Sequence, residues 1–141
     1  MIEIAIDGPA ASGKGALGKK LSDKYNFPYL DTGILYRKVA YELIKNNIKN
    51  SENLEILCCN FAKNLNLKEF KNKNLRTEDV AKLSSKIAIF PNLRKILNNK
   101  QKEFSNFNKK QFGGCILDGR DIGTTILPNA DFKFFITASI E

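Results

Sequence analysis

Gly8, Gly13 and Lys14 stand in the spacing Gly-x4-Gly-Lys, the residue types and interval that wrap a backbone around a phosphate. An alternating apolar stretch, Ile2 to Ile6, leads into them. A helical pattern follows, with Ala16, Leu17 and Leu21 on one side. Strand, glycine-rich loop and helix is the context that turns a short pattern into an anion site. The glycines let successive N–H groups close on an anion with no Cβ in the way. A helix starting near Gly13 adds unpaired N–H donors and the positive end of its dipole. Lys14 supplies a point charge for the outer phosphates. The implied chemistry is nucleoside triphosphate binding by Gly8, Pro9, Ala10, Ala11, Ser12, Gly13, Lys14, Gly15 and Ala16. One departure stands out: the pattern usually continues with Ser or Thr, whose hydroxyl holds Mg²⁺. This chain has Gly15 and Ala16 there, and neither offers an oxygen.

Four arginines, Arg37, Arg76, Arg94 and Arg120, persist in a chain whose other basic residues are all lysine. A guanidinium fork meets phosphates and base edges in a bidentate way that lysine cannot copy, so these four are candidate ligand contacts. The net charge of +8 suggests a nucleic-acid partner at first sight. The lysines, however, spread over helix surfaces rather than one stripe, and a protein that handles polyphosphates needs no polymer to explain them. No nucleic-acid partner is expected. Histidine is absent, and Cys58, Cys59 and Cys115 show no metal-ligand spacing, which sets aside zinc and histidine catalysis. Sparse, odd-numbered cysteines beside a nucleotide loop point to reduced thiols and the cytoplasm. No apolar run is long enough for a bilayer and no signal-peptide pattern precedes the first strand, so no membrane partner is expected.

These groups need elements to hold them. A helix over about 14–25 follows the loop, and residues 28–31 read as a second strand ending at Asp31-Thr32-Gly33. Thr32 or Asp31 can cap the next helix, which carries Leu35, Val39, Leu43 and Ile44 on one face. Residues 52–65 predict a helix with Leu54, Leu57, Phe61 and Leu65 inward, and Lys68 to Asn74 a polar connection. A helix from Thr77 opens with Glu78 and Asp79 and buries Val80, Leu83 and Ile87. Pro91 opens a longer one, with Leu93, Ile96, Leu97 and Phe104 on one face, broken at Gly113-Gly114. Strands at 115–118 and 132–136 complete the chain, the first leading into Asp118-Gly-Arg120-Asp121-Ile-Gly123. Short strands alternating with helices imply a parallel sheet covered by helices. Ligands bind such sheets at the carboxyl ends of the strands, where Asp7, Asp31, Thr32, Asp118, Arg120 and Asp121 gather.

Taken together, the chain resembles the bacterial cytidylate kinases. The matching pieces, in family order, are Ile-Asp-Gly-Pro-Ala-Ala-Ser-Gly-Lys-Gly at 6–15 and Leu-Asp-Thr-Gly-x-x-Tyr-Arg at 30–37. Leu-Arg-Thr-Glu at 75–78, Phe-Pro-x-x-Arg at 90–94 and Asp-Gly-Arg-Asp-Ile-Gly-Thr at 118–124 follow. The resemblance implies an α/β fold: a three-layer, P-loop nucleoside-monophosphate-kinase-like parallel sheet flanked by helices, truncated at its C-terminus. It implies one domain over 1–141, with a core at 1–31 and 113–141 and an acceptor-nucleotide region at 32–112. The family transfers the γ-phosphate of ATP to CMP or dCMP with Mg²⁺. By resemblance, Gly8 to Ala16 hold the ATP phosphates, and Thr32, Arg37 and Arg120 lie near the acceptor, the two arginines at its phosphate. Ser85, Arg94 and Asp121 match positions that read cytosine, and Lys14 and Arg120 match catalytic positions. Cytosine chemistry suits that trio, since a carboxylate accepts from the exocyclic amine and a guanidinium reaches N3 and O2. No single metal ligand is assigned.

Two departures qualify the expected activity. The stretch between Arg37 and Arg76 is shorter than the family's usual insert. The family also continues past the position of Glu141 into a lid with further arginines, an acidic residue for ribose, and a closing strand and helix. Loss of a transition-state arginine alone costs about 10³–10⁵ in rate. The sequence therefore predicts a marginally stable chain with Phe132, Phe134 and Ile136 partly uncovered, prone to self-association or to pairing with a complementing C-terminal chain. Two other readings remain open here, a weakly active or inactive nucleotide-binding fragment and a kinase of another nucleoside monophosphate.

Overall fold

In the computed structural model the described residues are 1–9, 11–48, 52–67 and 73–137. The chain divides into two compact units, Met1–Thr32 with Gln101–Glu141, and Gly33–Lys100.

The first unit is built on four parallel strands, β1 (Ile2–Asp7), β2 (Tyr29–Asp31), β3 (Gly114–Gly119) and β4 (Phe132–Phe135), in the order β2-β3-β1-β4. Parallel strands require crossover connections, and helix α1 (Lys14–Tyr25), which joins β1 to β2 on the far side of β3, is the first of them. All six residues of β3 are buried, as a central strand covered on both faces must be. Ile4, Ile6 and Ile116 form the core, with Leu17, Leu21, Phe27, Tyr29 and Ile136 packed against it. At the amino ends of the strands, a helix passing through Ser105 and Lys109 is fastened to the sheet by one acid. The Ser105 hydroxyl donates to Glu3 Oε2 and lies 3.2 Å from Cys115 Sγ, while Lys109 pairs with Glu3 at 3.3 Å. That helix, α5 (Pro91–Phe112), is the last α-helix of the chain and is stopped by Gly113 at φ +82°. Only a residue without Cβ takes that conformation cheaply.

The edge strand β4 is exposed along its length. Phe132 is 51% exposed, Phe134 40% and Phe135 70%. The sequence expects thin cover at Phe132 and Phe134, as found. Ile136, expected to share it, is half-buried against the core, because its N–H donates to Asp7 O at 2.8 Å and draws the chain back over β1.

The second unit is helical: α2 (Gly33–Lys45), α3 (Leu54–Lys63), a 3-10 turn (Lys73–Arg76), α4 (Glu78–Ile87) and the start of α5. Leu35, Val39 and Leu43 are fully buried on α2, but Ile44, expected beside them, is 38% exposed. On α3 the inward ridge is Leu54, Cys58 and Ala62, with Leu57, Phe61 and Leu65 only half-buried. The expected ridge of large residues therefore flanks the contact, because small side chains four apart let one helix approach another closely. Burial pushes the Cys58 thiol up to about 11, so it stays protonated and inert. Helix α4 starts where its sequence suggests, and Thr77 caps it, its hydroxyl accepting from Val80 N–H at 3.3 Å. Ser84 is buried on that helix while Leu83 is half-buried. Glu55 accepts from the Asn92 N–H at 3.3 Å and so caps α5. Of the expected connection at 68–74, residues 68–72 lie outside the described residues, and Leu75 in the 3-10 turn is buried.

One glycine reports how tightly the sheet is packed. A Cβ added at Gly114 would lie 2.6 Å from the Phe27 ring. Gly114→Ala is expected to lower unfolding free energy by about 1–3 kcal/mol, the usual cost of an extra methyl in a filled core. Urea denaturation of the two proteins measures it, and unchanged stability would mean that Phe27 is free to move.

Candidate nucleotide site

The phosphate loop leaves β1 at Asp7 and enters α1 at Lys14. Ala11 (φ +59°) and Gly13 (φ +90°) are both left-handed, which curls the backbone between strand and helix. Such successive turns point N–H groups at a common centre. Gly13 starts α1 with no side-chain cap, so the first-turn N–H groups remain open to a ligand. Ser12 Oγ is buried with no hydrogen-bond partner, an orphan that an anion's oxygen would satisfy. Lys14 Nζ reaches back 3.4 Å to Pro9 O, so the ammonium lies over the loop it is expected to serve. Pro9, Ala11 and Ala16 are exposed, and Gly15 is half-buried. Ala10 lies outside the described residues.

Beside the loop, β2 and β3 end level with each other, Asp31 against Asp118. Thr32 donates from both its N–H and its hydroxyl to Asp118 O, at 3.1 and 2.8 Å. It thus ties the end of β2 to β3. The Asp118 carboxylate is 1% exposed. Tyr29 donates its hydroxyl to Oδ2, and Oδ1 accepts no hydrogen bond. Two carboxylates side by side offer each other no donor unless one is protonated. Burial, then the charge of Asp31, push Asp118 up to about 6 against the opposing pull of the Tyr29 hydroxyl and Lys14. Tyr29 is itself placed by Gly18 of α1, whose missing side chain leaves the room that the ring occupies.

After β3, Arg120 is exposed and Asp121 half-buried, and a π-helical turn, Ile122–Ile126, follows. Such turns concentrate at functional sites. Asp121 stands at the N-cap of this turn, but its side chain makes no capping hydrogen bond to it. Asp7 caps it instead: its Oδ1 accepts from Ile122 N–H at 2.7 Å and its Oδ2 from Gly123 N–H at 2.8 Å.

The first unit thus brings together Gly8, Pro9 and Ala11–Ala16 with Thr32, Arg120 and Asp121. The remaining candidates belong to the second unit: Arg37 half-buried on α2, Ser85 exposed on α4 and Arg94 exposed on the first turn of α5. Sequence reasoning placed Asp7 at the ligand-binding edge without giving it a role, and did not single out Tyr29. An acid directly before an anion loop was the available signal, since a charge of that sign must be answered by donors.

A parallel sheet with a Gly-x4-Gly-Lys loop between its first strand and first helix defines a P-loop fold of the nucleoside-monophosphate-kinase type. Residues 4–141 match the family described as "Cytidylate kinase". The cytidylate kinase of Bartonella tribocorum is 43% identical over 138 residues, covering 98% of this chain and 61% of its own length. That of Methylocella silvestris is 44% identical with the same coverage, and that of Mesorhizobium japonicum is 39% identical over 143 residues. The chain belongs to the cytidylate kinase family, and it spans 61% of the length of these relatives.

The Asp118 environment has a direct signature. Its carboxyl is expected to titrate near pH 6 by carbon-detected NMR. Tyr29→Phe should move that titration up, by removing the donor to the charged form, and Asp31→Asn should move it down, by removing the repelling charge. A pKa raised on folding gives stability that is present below the unfolded value and lost as pH rises. Stability from this group is therefore lost progressively as pH rises from about 4 to about 6, and the full cost remains above that. Titration at the ordinary carboxylate value in all three proteins would contradict the buried pair.

Proposed function

We propose that this chain carries the ATP- and CMP-binding parts of a nucleotide kinase that moves the γ-phosphoryl group of ATP to CMP or dCMP. The observation that carries the reading is an open phosphate loop with Lys14 over it, at the same sheet edge as Asp118-Gly-Arg120-Asp121. Family membership supports the substrate class.

In this reading the N–H groups of Gly8–Ala16 and the Lys14 ammonium hold the triphosphate, while Arg37 and Arg120 hold the acceptor phosphate with Thr32 beside them. Ser85, Arg94 and Asp121 read the base. Asp121 accepts from the cytosine amine, whereas uracil would set a carbonyl oxygen against it. No strong base is required, because the acceptor is already a phosphate anion. Alignment and charge neutralisation do most of the work, with Lys14 and Arg120 steadying the charge on the group in flight.

Mg²⁺ is expected to arrive with ATP. Among the described residues no cluster of three or more His, Cys, Asp or Glu could cage a metal. The partnerless Oδ1 of Asp118 beside Asp31 suits the water shell of a hard cation, so these two carboxylates would hold it. When bound, the ion neutralises phosphate charge. No helix among the described residues is long and apolar enough to cross a membrane.

Calorimetry tests the reading independently of turnover. CMP is expected to bind more tightly than UMP or AMP, and Asp121→Asn to narrow the CMP-over-UMP gap by about 1–3 kcal/mol. Lys14→Ala should weaken ATP and leave CMP unaffected. Equal binding of CMP and UMP by the parent protein would reject the base-reading trio.

A further inference from the structure

The geometry assigns to Asp7 the role of positioning residue for Arg120 and Asp121, an inference that rests on those two groups facing the acceptor nucleotide. A carboxylate one residue ahead of an anion-binding loop opposes the loop's ligand unless its charge is met. Here it is met completely. Asp7 is 9% exposed, and its two oxygens take the N–H groups of consecutive residues, Ile122 and Gly123. Those are first-turn donors of a helical turn, the ones that no acceptor within the turn can satisfy. The turn is only five residues long, Ile122–Ile126, too short to hold its own shape without an external partner.

Asp7 is fixed as firmly as any residue of the sheet. Its carbonyl accepts from Ile136 N–H at 2.8 Å, and the next residue, Gly8, donates to Gly119 O at 3.1 Å. A rigid strand end thus presents one carboxylate to the turn that begins directly after Arg120-Asp121. The same residue is the root of the phosphate loop. One side chain therefore sets the distance between the triphosphate loop and the residues assigned to the acceptor. Gly123 shows how close the fit is, since a Cβ there would lie 3.2 Å from Asp7 Oδ2 and 3.3 Å from the Lys133 side chain.

Asp7→Asn keeps the shape, removes the charge and replaces one acceptor with a donor that faces an N–H group. The full chain is compared with this variant by amide hydrogen exchange and by calorimetry with CMP, UMP and a non-hydrolysable ATP analogue. Exchange at Ile122 and Gly123 is expected to rise at least about tenfold. CMP affinity should fall at least about tenfold, as for loss of a hydrogen bond to a charged group, and the CMP-over-UMP preference should shrink. The ATP analogue should stay within about threefold, because the Asp7 side chain holds the turn rather than the loop backbone. Gly123→Ala presses on the same contact from the other side and should give the same split, so it decides the matter if Asp7→Asn does not fold. Equal losses for CMP and the ATP analogue would overturn the inference, as would unchanged CMP binding with the two amides freed. A parent protein that binds no CMP would defeat the reading of the site rather than the tether. Exchange at Ile122 and Gly123 then decides alone, faster in the variants upholding the tether and unchanged overturning it.

Discussion

In the parallel pairing of β1 with β3, Ile6 lies level with Asp118 and Asp7 with Gly119, while β2 brings Asp31 level with Asp118 from the other side. Every chemically interesting residue of the first unit leaves the sheet within a few positions of that line. A slip of one residue would turn Asp118 to the opposite face of the sheet, carrying its neighbours with it. The register is held by the full burial of β3 and by Ile4, Ile6 and Ile116, whose branched side chains fit only one way. The phosphate loop, the Asp31–Thr32 corner and the Arg120–Asp121 turn depend on this pairing for their mutual placement.

The placement carries an electrostatic tension. Three carboxylates, Asp7, Asp31 and Asp118, border a loop shaped for anions. Two separate devices relieve it. Asp7 gives its charge to two backbone N–H groups. Asp118 receives the Tyr29 hydroxyl and holds a proton more readily than an ordinary carboxylic acid. What remains negative suits a phosphate that comes with a hard cation, and this accords with the proposed chemistry.

Much of this was legible in the chain. The four strands fall within two residues of their expected places because apolar runs bounded by Gly, Pro and Asp are strong local signals. The phosphate loop was legible from its spacing together with the flanking strand and helix patterns, and the start of α4 from Thr77 and the acids after it. The burial of α3 was not, because which face turns inward depends on how closely a neighbour can approach, and Cys58 and Ala62 give no periodic signal of their own. The role of Asp7 was hidden for a related reason. The acid before an anion loop signals that donors must meet it, but its partners are backbone N–H groups far along the chain, whose residue types do not identify them.

The central claim is that ligands meet this protein at the carboxyl ends of its strands. Amide chemical-shift mapping with a non-hydrolysable ATP analogue measures that most directly. The account predicts shifts confined in the first unit to Gly8–Lys14, Asp31–Thr32 and Gly119–Gly123, with Gly113–Cys115 and Asp131 at the amino ends unmoved. Shifts centred on Glu3, Gly113 and Asp131, with a silent phosphate loop, would contradict it.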